Sequence, residues 1–287
     1  MFTLRQYLLA LLDSRGLTRT LGEIDVCRDE QGRPCFSAGN SAAVFRIRLG
    51  GRIRSLRCYL RPMRHLKEIY GQRLLEKELY LHTSPETGVW VDTVLGDWIE
   101  GSTLHETVAQ AAALRDRECL QILVRLFDRL ALALVTDDRA HGDLKPENII
   151  VGDDGTLCPI DFDASYLPAF AGEISPELGT AAYQHPARTA ADFDERIDDY
   201  PAALISTALH ALAEDPTLWD RYGSSDGLLY TPQRIASDPA YRETLALFEK
   251  RGMAVQYRIA QLLTAPTLRL FGLAELLAEA VSYTHLR

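Results

Sequence analysis

The sequence predicts an α+β fold in two lobes: a small antiparallel β-sheet lobe over residues 1–100, then a mainly helical lobe over 101–280. Three observations carry this expectation. Short apolar runs broken by turn residues fill Arg19 to Leu60, with two more strand-like runs at Leu79 to His82 and Trp90 to Ile99, which is the texture of an antiparallel sheet. From Gly101 onward apolar residues recur at helical spacing. The change falls at Glu100-Gly101 without a linker-like tract, so two lobes around a cleft are expected.

Each element follows from local pattern. Phe2, Leu4, Tyr7, Leu8, Leu11 and Leu12 lie on one helical face, and Ser14-Arg15-Gly16 ends it. Asp29-Glu30-Gln31-Gly32 and Gly50-Gly51 read as hairpin turns. Met63 to Tyr70 suits a short helix, and Leu79 to His82 and Trp90 to Ile99 alternate as strands across Ser84-Pro85-Glu86-Thr87-Gly88. Thr103-x-x-Glu106 forms a capping box, and Glu118 to Val135 is apolar over most of its surface, as in a buried helix. Asn148 to Val151 and Leu157 to Ile160 read as two strands around Gly152-Asp153-Asp154-Gly155. Beyond Asp198 the chain is expected to be mostly helical.

Composition narrows the function classes. Lys and Arg total 31 against 40 Asp and Glu, a net charge of −9, which argues against nucleic acid or an anionic membrane as a dominant partner. Cys27, Cys35, Cys58, Cys119 and Cys158 are scattered and contain no Cys-x-x-Cys pair. Neither a disulfide framework nor a zinc site is expected, and a reducing cytoplasm fits. The N-terminus has no signal-peptide pattern. The most apolar stretch, Leu120 to Val135, is interrupted by Arg125, Asp128 and Arg129, short of the roughly 20 apolar residues of a membrane span. Residues 281–287 resemble translated adapter sequence and are expected to be a non-native tail.

The chemistry concentrates in His141-Gly142-Asp143-Leu144-Lys145-Pro146-Glu147-Asn148, directly after the buried helix, and in Asp161-Phe162-Asp163 after the second short strand. Here the chain resembles the protein kinase superfamily, whose catalytic loop reads His-x-Asp-x-Lys-Pro-x-Asn. The resemblance spans about residues 33 to 215 and implies a bilobal protein-kinase-like fold and Mg²⁺- and ATP-dependent phosphoryl transfer. Such transfer needs a positioned hydroxyl, in-line geometry and cations on the phosphate oxygens. By resemblance, Asp143 orients the acceptor hydroxyl and Lys145 neutralises the transferring phosphoryl. Asn148 and Asp161 hold Mg²⁺, and His141 braces the loop. Gly179-Thr180-Ala181-Ala182-Tyr183-Gln184-His185-Pro186 is similar to the family's peptide-cradling segment, and Asp198 to the residue that ties the central helix to the catalytic-loop backbone.

The small lobe matches less closely. Ser37-Ala38-Gly39-Asn40-Ser41-Ala42-Ala43-Val44 keeps one glycine, Gly39, and Val44 of the family's Gly-x-Gly-x-x-Gly-x-Val pattern. Arg57 stands where the family has a phosphate-binding Lys, retaining charge but changing geometry. Glu68 is the one convenient partner for it, because Glu76 and Glu78 belong to the next strand. Val94 to Gly101 resembles the strand into the hinge, so Asp97 and Ile99 are expected to meet adenine.

Three departures bear on function. Gly142 replaces an Arg, Asp163 occupies a Gly position, and Ala187 stands where the family has Glu. The first removes the usual basic partner of a phosphorylated activation loop and points to constitutive competence. Three readings share the fold: a kinase of Ser/Thr hydroxyls on protein substrates, a nucleotide-binding pseudokinase scaffold, and a small-molecule kinase of the aminoglycoside or choline type. Lys145-Pro146-Glu147 and the Gly179 to Pro186 segment favour the first.

Overall fold

The computed structural model describes residues 1–284. The chain divides into two compact units, Met1–Ile99 and a second beginning at Glu100.

The first unit opens with α1 (Leu4–Leu12). Its N-terminus carries a capping box, in which Thr3 Oγ1 accepts the Gln6 N–H and Gln6 Oε1 accepts the Thr3 N–H. Strands β1 (Asp25–Val26), β2 (Phe36–Ala38), β3 (Ala42–Leu49) and β4 (Arg52–Tyr59) follow. After α2 (Leu66–Tyr70) come β5 (Leu74–His82) and β6 (Gly88–Asp97). The sheet order is β1-β3-β4-β6-β5, with β2 also paired to β3, all antiparallel. Gly50 and Gly51, both at positive φ, make the expected β3–β4 turn between Leu49 and Arg52. α2 is shorter than the Met63 to Tyr70 pattern suggests, because His65 sits in the left-handed region at φ 60° and starts the helix late.

Period-two alternation separates the two sheet faces. Ala43, Phe45 and Ile47 of β3 and Leu56 and Cys58 of β4 are fully buried and form one core with Tyr7, Ala10 and Leu11 of α1. The opposite face carries Val44, Arg46, Ser55 and Arg57, with Val44 directly across from Arg57 and Arg46 across from Ser55. Pairing slips between Leu75 and Leu79, where Lys77 takes a φ of 51°. Beside this bulge the Glu78 carboxylate is buried. Its Oε1 accepts the N–H groups of Arg19, Thr20 and Leu21 at 3.1, 2.9 and 2.9 Å, and its Oε2 accepts the Thr20 hydroxyl at 2.6 Å.

In the second unit β7 (Gly101–Thr103) leads into α3 (Leu104–Ala113) and α4 (Arg117–Thr136). The Thr103/Glu106 capping box forms as expected. β8 (Ile149–Gly152) and β9 (Leu157–Pro159) complete a three-stranded sheet of order β7-β8-β9. Asn148 is not a strand residue: it closes a 3₁₀ turn that starts at Pro146, with its N–H bonded to Lys145 O at 2.9 Å. Helices α5 (Asp199–Glu214), α6 (Leu218–Tyr222), α7 (Pro239–Arg251), α8 (Ala254–Leu262) and α9 (Leu273–Thr284) follow.

α5 is buried from Asp199 through Ala213. It is tied to α4 by Asp128, which accepts the Ser206 hydroxyl at 2.7 Å and His210 Nε2 at 2.8 Å, all three residues being buried. α9 includes Val281 to Thr284 of the segment expected to be a non-native tail, and 285–287 lie outside the described residues. Among the described residues, no helix is long and apolar enough to cross a membrane.

Candidate active site

The loop His141 to Asn148 leaves the α4 end of the helical unit held from several directions. Ala140 and Tyr166 exchange both backbone hydrogen bonds, at 3.1 and 2.9 Å. His141 Nε2 meets the Ile160 carbonyl at 2.7 Å, and its ring lies 5.1 Å from that of Phe162. This is the bracing role the resemblance implies. Asp198, just before α5, accepts the N–H of His141 and, at 3.0 Å, the N–H of Gly142. Burial pushes the Asp198 carboxyl above the ordinary range, opposed by His141, these two amides and Arg188.

Asp143, Lys145 and Asn148 are brought into direct contact. Asp143 Oδ1 accepts the backbone N–H of Thr180 at 2.6 Å. Its Oδ2 lies 3.3 Å from Lys145 Nζ and accepts Asn148 Nδ2 at 3.2 Å. Asn148 Nδ2 also donates to the Asp143 carbonyl at 2.9 Å, and Lys145 Nζ donates to Thr180 Oγ1 at 2.8 Å. Asp143 and Lys145 are half-buried, so the carboxylate is fixed by donors yet open to an incoming group, the condition for pre-organised acid–base work.

Asp161 enters from the other strand. Ile160 N donates to Asn148 O at 2.8 Å, which sets the backbone of Asp161 beside that of Asn148. Asp161 itself takes the left-handed conformation at φ 67° and starts the 3₁₀ turn Phe162–Ala164. The amide oxygen of Asn148 and the carboxylate of Asp161 are hard oxygen donors, the kind that suits Mg²⁺ completed by water and phosphate oxygens. Among the described residues no group of three His, Cys, Asp or Glu side chains forms a self-sufficient metal site.

The remaining expected residues belong to the sheet unit. Gly39 lies in the β2–β3 hairpin, where its N–H bonds to Ala42 O at 2.9 Å. Val44 and Arg57 face each other across β3 and β4, and Arg57 is also in register with Val94 of β6. The Arg57 guanidinium lies 5.9 Å from the Tyr59 ring centroid. Asp97 pairs with Arg54 at 3.3 Å and is exposed, and Ile99 is half-buried. Glu68 is exposed on α2, and Glu78 is taken up by the Arg19 to Leu21 segment.

Two features of the site are not evident from motif matching. Gly142 reads in the sequence as a lost arginine. Its φ is 81°, and a Cβ there would stand 2.0 Å from the Ala164 carbonyl oxygen, so the position admits only glycine without a backbone shift. An arginine reaches the same place from elsewhere: buried Arg188 donates through Nη1 to the Gly142 carbonyl at 3.1 Å and to Gln184 Oε1. The signal in the sequence is an Arg two residues beyond Pro186, the end of the segment expected to cradle peptide, a pattern that carries no information on burial.

No protein-family model matches the chain. Curated relatives do, over part of its length. CBL-interacting protein kinase 17 of Oryza sativa subsp. japonica is 28% identical over 172 residues, 57% of this chain and 35% of the relative. Serine/threonine-protein kinase PknL of Mycobacterium tuberculosis is 34% identical over 113 residues, 37% of this chain and 27% of the relative. PknL of Mycobacterium bovis is equally similar. The chain therefore spans about a third of the length of the kinases it is similar to.

Proposed function

We propose that this chain is an ATP- and Mg²⁺-dependent phosphotransferase acting on Ser/Thr hydroxyls of protein substrates. The observation that carries the reading is the set of bonds joining Asp143, Lys145, Asn148 and Thr180. Asp143 would orient the acceptor hydroxyl and take its proton, with Thr180 N–H holding one carboxylate oxygen and leaving the other toward Lys145. Lys145 would offset charge on the transferring phosphoryl, and its bond to Thr180 joins that cation to the peptide-cradling segment. Asn148 donates through its amide nitrogen to Asp143, which turns its amide oxygen away from that carboxylate; that oxygen and Asp161 would hold Mg²⁺. Bound Mg²⁺ would neutralise the phosphate oxygens. Gly39, Val44, Arg57, Asp97 and Ile99 are the nucleotide-binding residues, and similarity to serine/threonine kinases over part of the chain supports the protein acceptor.

Thermal unfolding with and without Mg²⁺-ATP tests the nucleotide, since ligand at about 100 times its dissociation constant adds roughly 2.7 kcal/mol. Asp161→Asn should remove most of the metal-dependent part. Label transfer from ATP to a peptide library, compared with pooled sugars and aminoalcohols, tests the acceptor. Asp143→Ala should suppress transfer while leaving nucleotide binding. Label on small alcohols alone would replace the protein-kinase reading with a small-molecule kinase.

Binding of Mg²⁺-ATP with no transfer to any acceptor would replace the phosphotransferase reading with a nucleotide-binding scaffold.

A further inference from the structure

Arg188 is the most anomalous buried cation near the loop. It is 8% exposed, and of its guanidinium nitrogens Nη1 donates to Gly142 O and to Gln184 Oε1. Among the described residues, its Nε and Nη2 have no hydrogen-bond acceptor, and neither does the buried Gln184 Nε2. Burial works against the charge, and Asp198 and Asp143 work for it. A guanidinium with two unsatisfied donors is an expensive group to keep in a core, so a packing role alone does not account for it.

Its position supplies the reason. Residue Gly142 is held on both sides: Asp198 accepts its N–H and that of His141, and Arg188 donates to its carbonyl. Gly142 lacks a side chain and sits at φ 81°, a freedom that these bonds help to limit. Gln184, which steers the guanidinium, also lines the place where a Cβ on Gly179 would stand, together with Asp143 Oδ1 and Gly142 O. The same cluster thus touches the loop that carries Asp143 and the segment that carries Thr180.

We infer that Arg188 is a positioning residue for the Asp143 carboxylate, acting through the Gly142 carbonyl and steered by Gln184. The inference rests on the phosphotransferase reading for its kinetic consequence only; its geometric consequence is separate. Arg188 touches no reacting atom, so its removal should leave nucleotide affinity in place and misplace the carboxylate.

The test uses the full chain with Arg188→Met, Arg188→Lys and Gln184→Leu. In transfer assays Arg188→Met should lower kcat by about tenfold or more, the scale of a misplaced catalytic group, with KM for ATP within about twofold of the parent. Arg188→Lys should recover part of the loss, because it restores a donor to Gly142 O. An unchanged kcat, or a fall in ATP affinity matching the fall in kcat, overturns the inference. Amide hydrogen exchange gives a reading that needs no activity. In Arg188→Met, exchange at Gly142 to Asn148 should accelerate about tenfold or more while α4 and α5 keep the parent rates. A uniform change, or none, overturns it. Should Arg188→Met fail to fold, Arg188→Lys and Gln184→Leu are read by the same two criteria, each expected to show a smaller loosening confined to the loop. A parent chain that transfers no phosphate defeats the phosphotransferase reading, and the exchange pattern then decides the role of Arg188 by itself.

Discussion

Thr180 and Asp143, 37 positions apart, meet through a 2.6 Å hydrogen bond from the Thr180 backbone N–H to Asp143 Oδ1. Gly179 makes this approach possible. Its φ is 72°, and a Cβ there would lie 2.8 Å from Gln184 Nε2 and from Gly142 O, and 3.0 Å from Asp143 Oδ1. Gly179→Ala should therefore push Thr180 off the carboxylate. Phosphoryl transfer is expected to fall about 100-fold, the scale of a displacement near 1 Å, with Mg²⁺-ATP binding retained in a thermal-shift titration. Transfer at the parent rate would show that the Thr180 contact does not matter to the chemistry.

Placing an arginine at position 142 should harm the protein. The Gly142 Cβ site is occupied by the Ala164 carbonyl oxygen at 2.0 Å. Both Gly142→Arg and Gly142→Ala should thus destabilise by a similar amount, about 2–4 kcal/mol from backbone strain and displacement. Urea denaturation of the three proteins checks this, and a gain of stability in Gly142→Arg would contradict it.

Glu78 holds the Arg19 to Leu21 segment to the sheet. Glu78→Ala strands the N–H groups of Thr20 and Leu21, both bonded at 2.9 Å, while the Arg19 N–H keeps the Glu78 carbonyl, and should cost about 3 kcal/mol of unfolding free energy. Glu78→Gln keeps an oxygen acceptor and should cost roughly half as much. Amide exchange at Thr20 and Leu21 should rise first, before that of the β3–β4 core. Equal stabilities for the two variants would show that charge, not the acceptor, is what the segment requires.

Asp199 sets a pH dependence. Burial raises its carboxyl to about 6, although Oδ2 accepts the Leu270 N–H at 3.3 Å. Its other oxygen is buried without a partner among the described residues. The unfolded carboxyl ionises near pH 4. Below that value both states are protonated and nothing is lost. As pH rises from about 4 to about 6 the unfolded chain releases its proton first and stability falls, on the order of 2–3 kcal/mol, then stays lower above the window. Asp199→Asn keeps the acceptor and removes the charge. Chemical denaturation should find it more stable than the parent at pH 7.5 and equal at pH 4. A parent whose stability does not fall across this window would refute the assignment.

Much of the fold was legible in the chain itself, because alternation, turn glycines and caps are local. The Gly50-Gly51 hairpin, the Thr103/Glu106 cap and the existence of α4 follow from residues within a few positions of one another, but the expected burial of that helix does not hold: α4 buries one face and leaves Ile122 exposed, and full burial belongs to α5. The Asp143 to Asn148 spacing is also local, since a short loop closed by a 3₁₀ turn can bring those two side chains together without help from the rest of the chain. The late start of α2 escaped the pattern, because a left-handed His65 leaves no mark on apolar periodicity.

What the sequence alone determined is thus the order of elements and the residue types at the candidate site. The tertiary structure decided which distant groups satisfy that site. Asp198 on the Gly142 amide, Thr180 on Asp143 and Arg188 on the Gly142 carbonyl join positions 56, 37 and 46 residues apart. Such pairings depend on how α4, α5 and the intervening loops pack, and a buried polar group must find its partner wherever packing brings one. The same physics turned Gly142 from an apparent loss into a requirement: the Ala164 carbonyl fills the space a side chain would need, and only the folded chain puts it there.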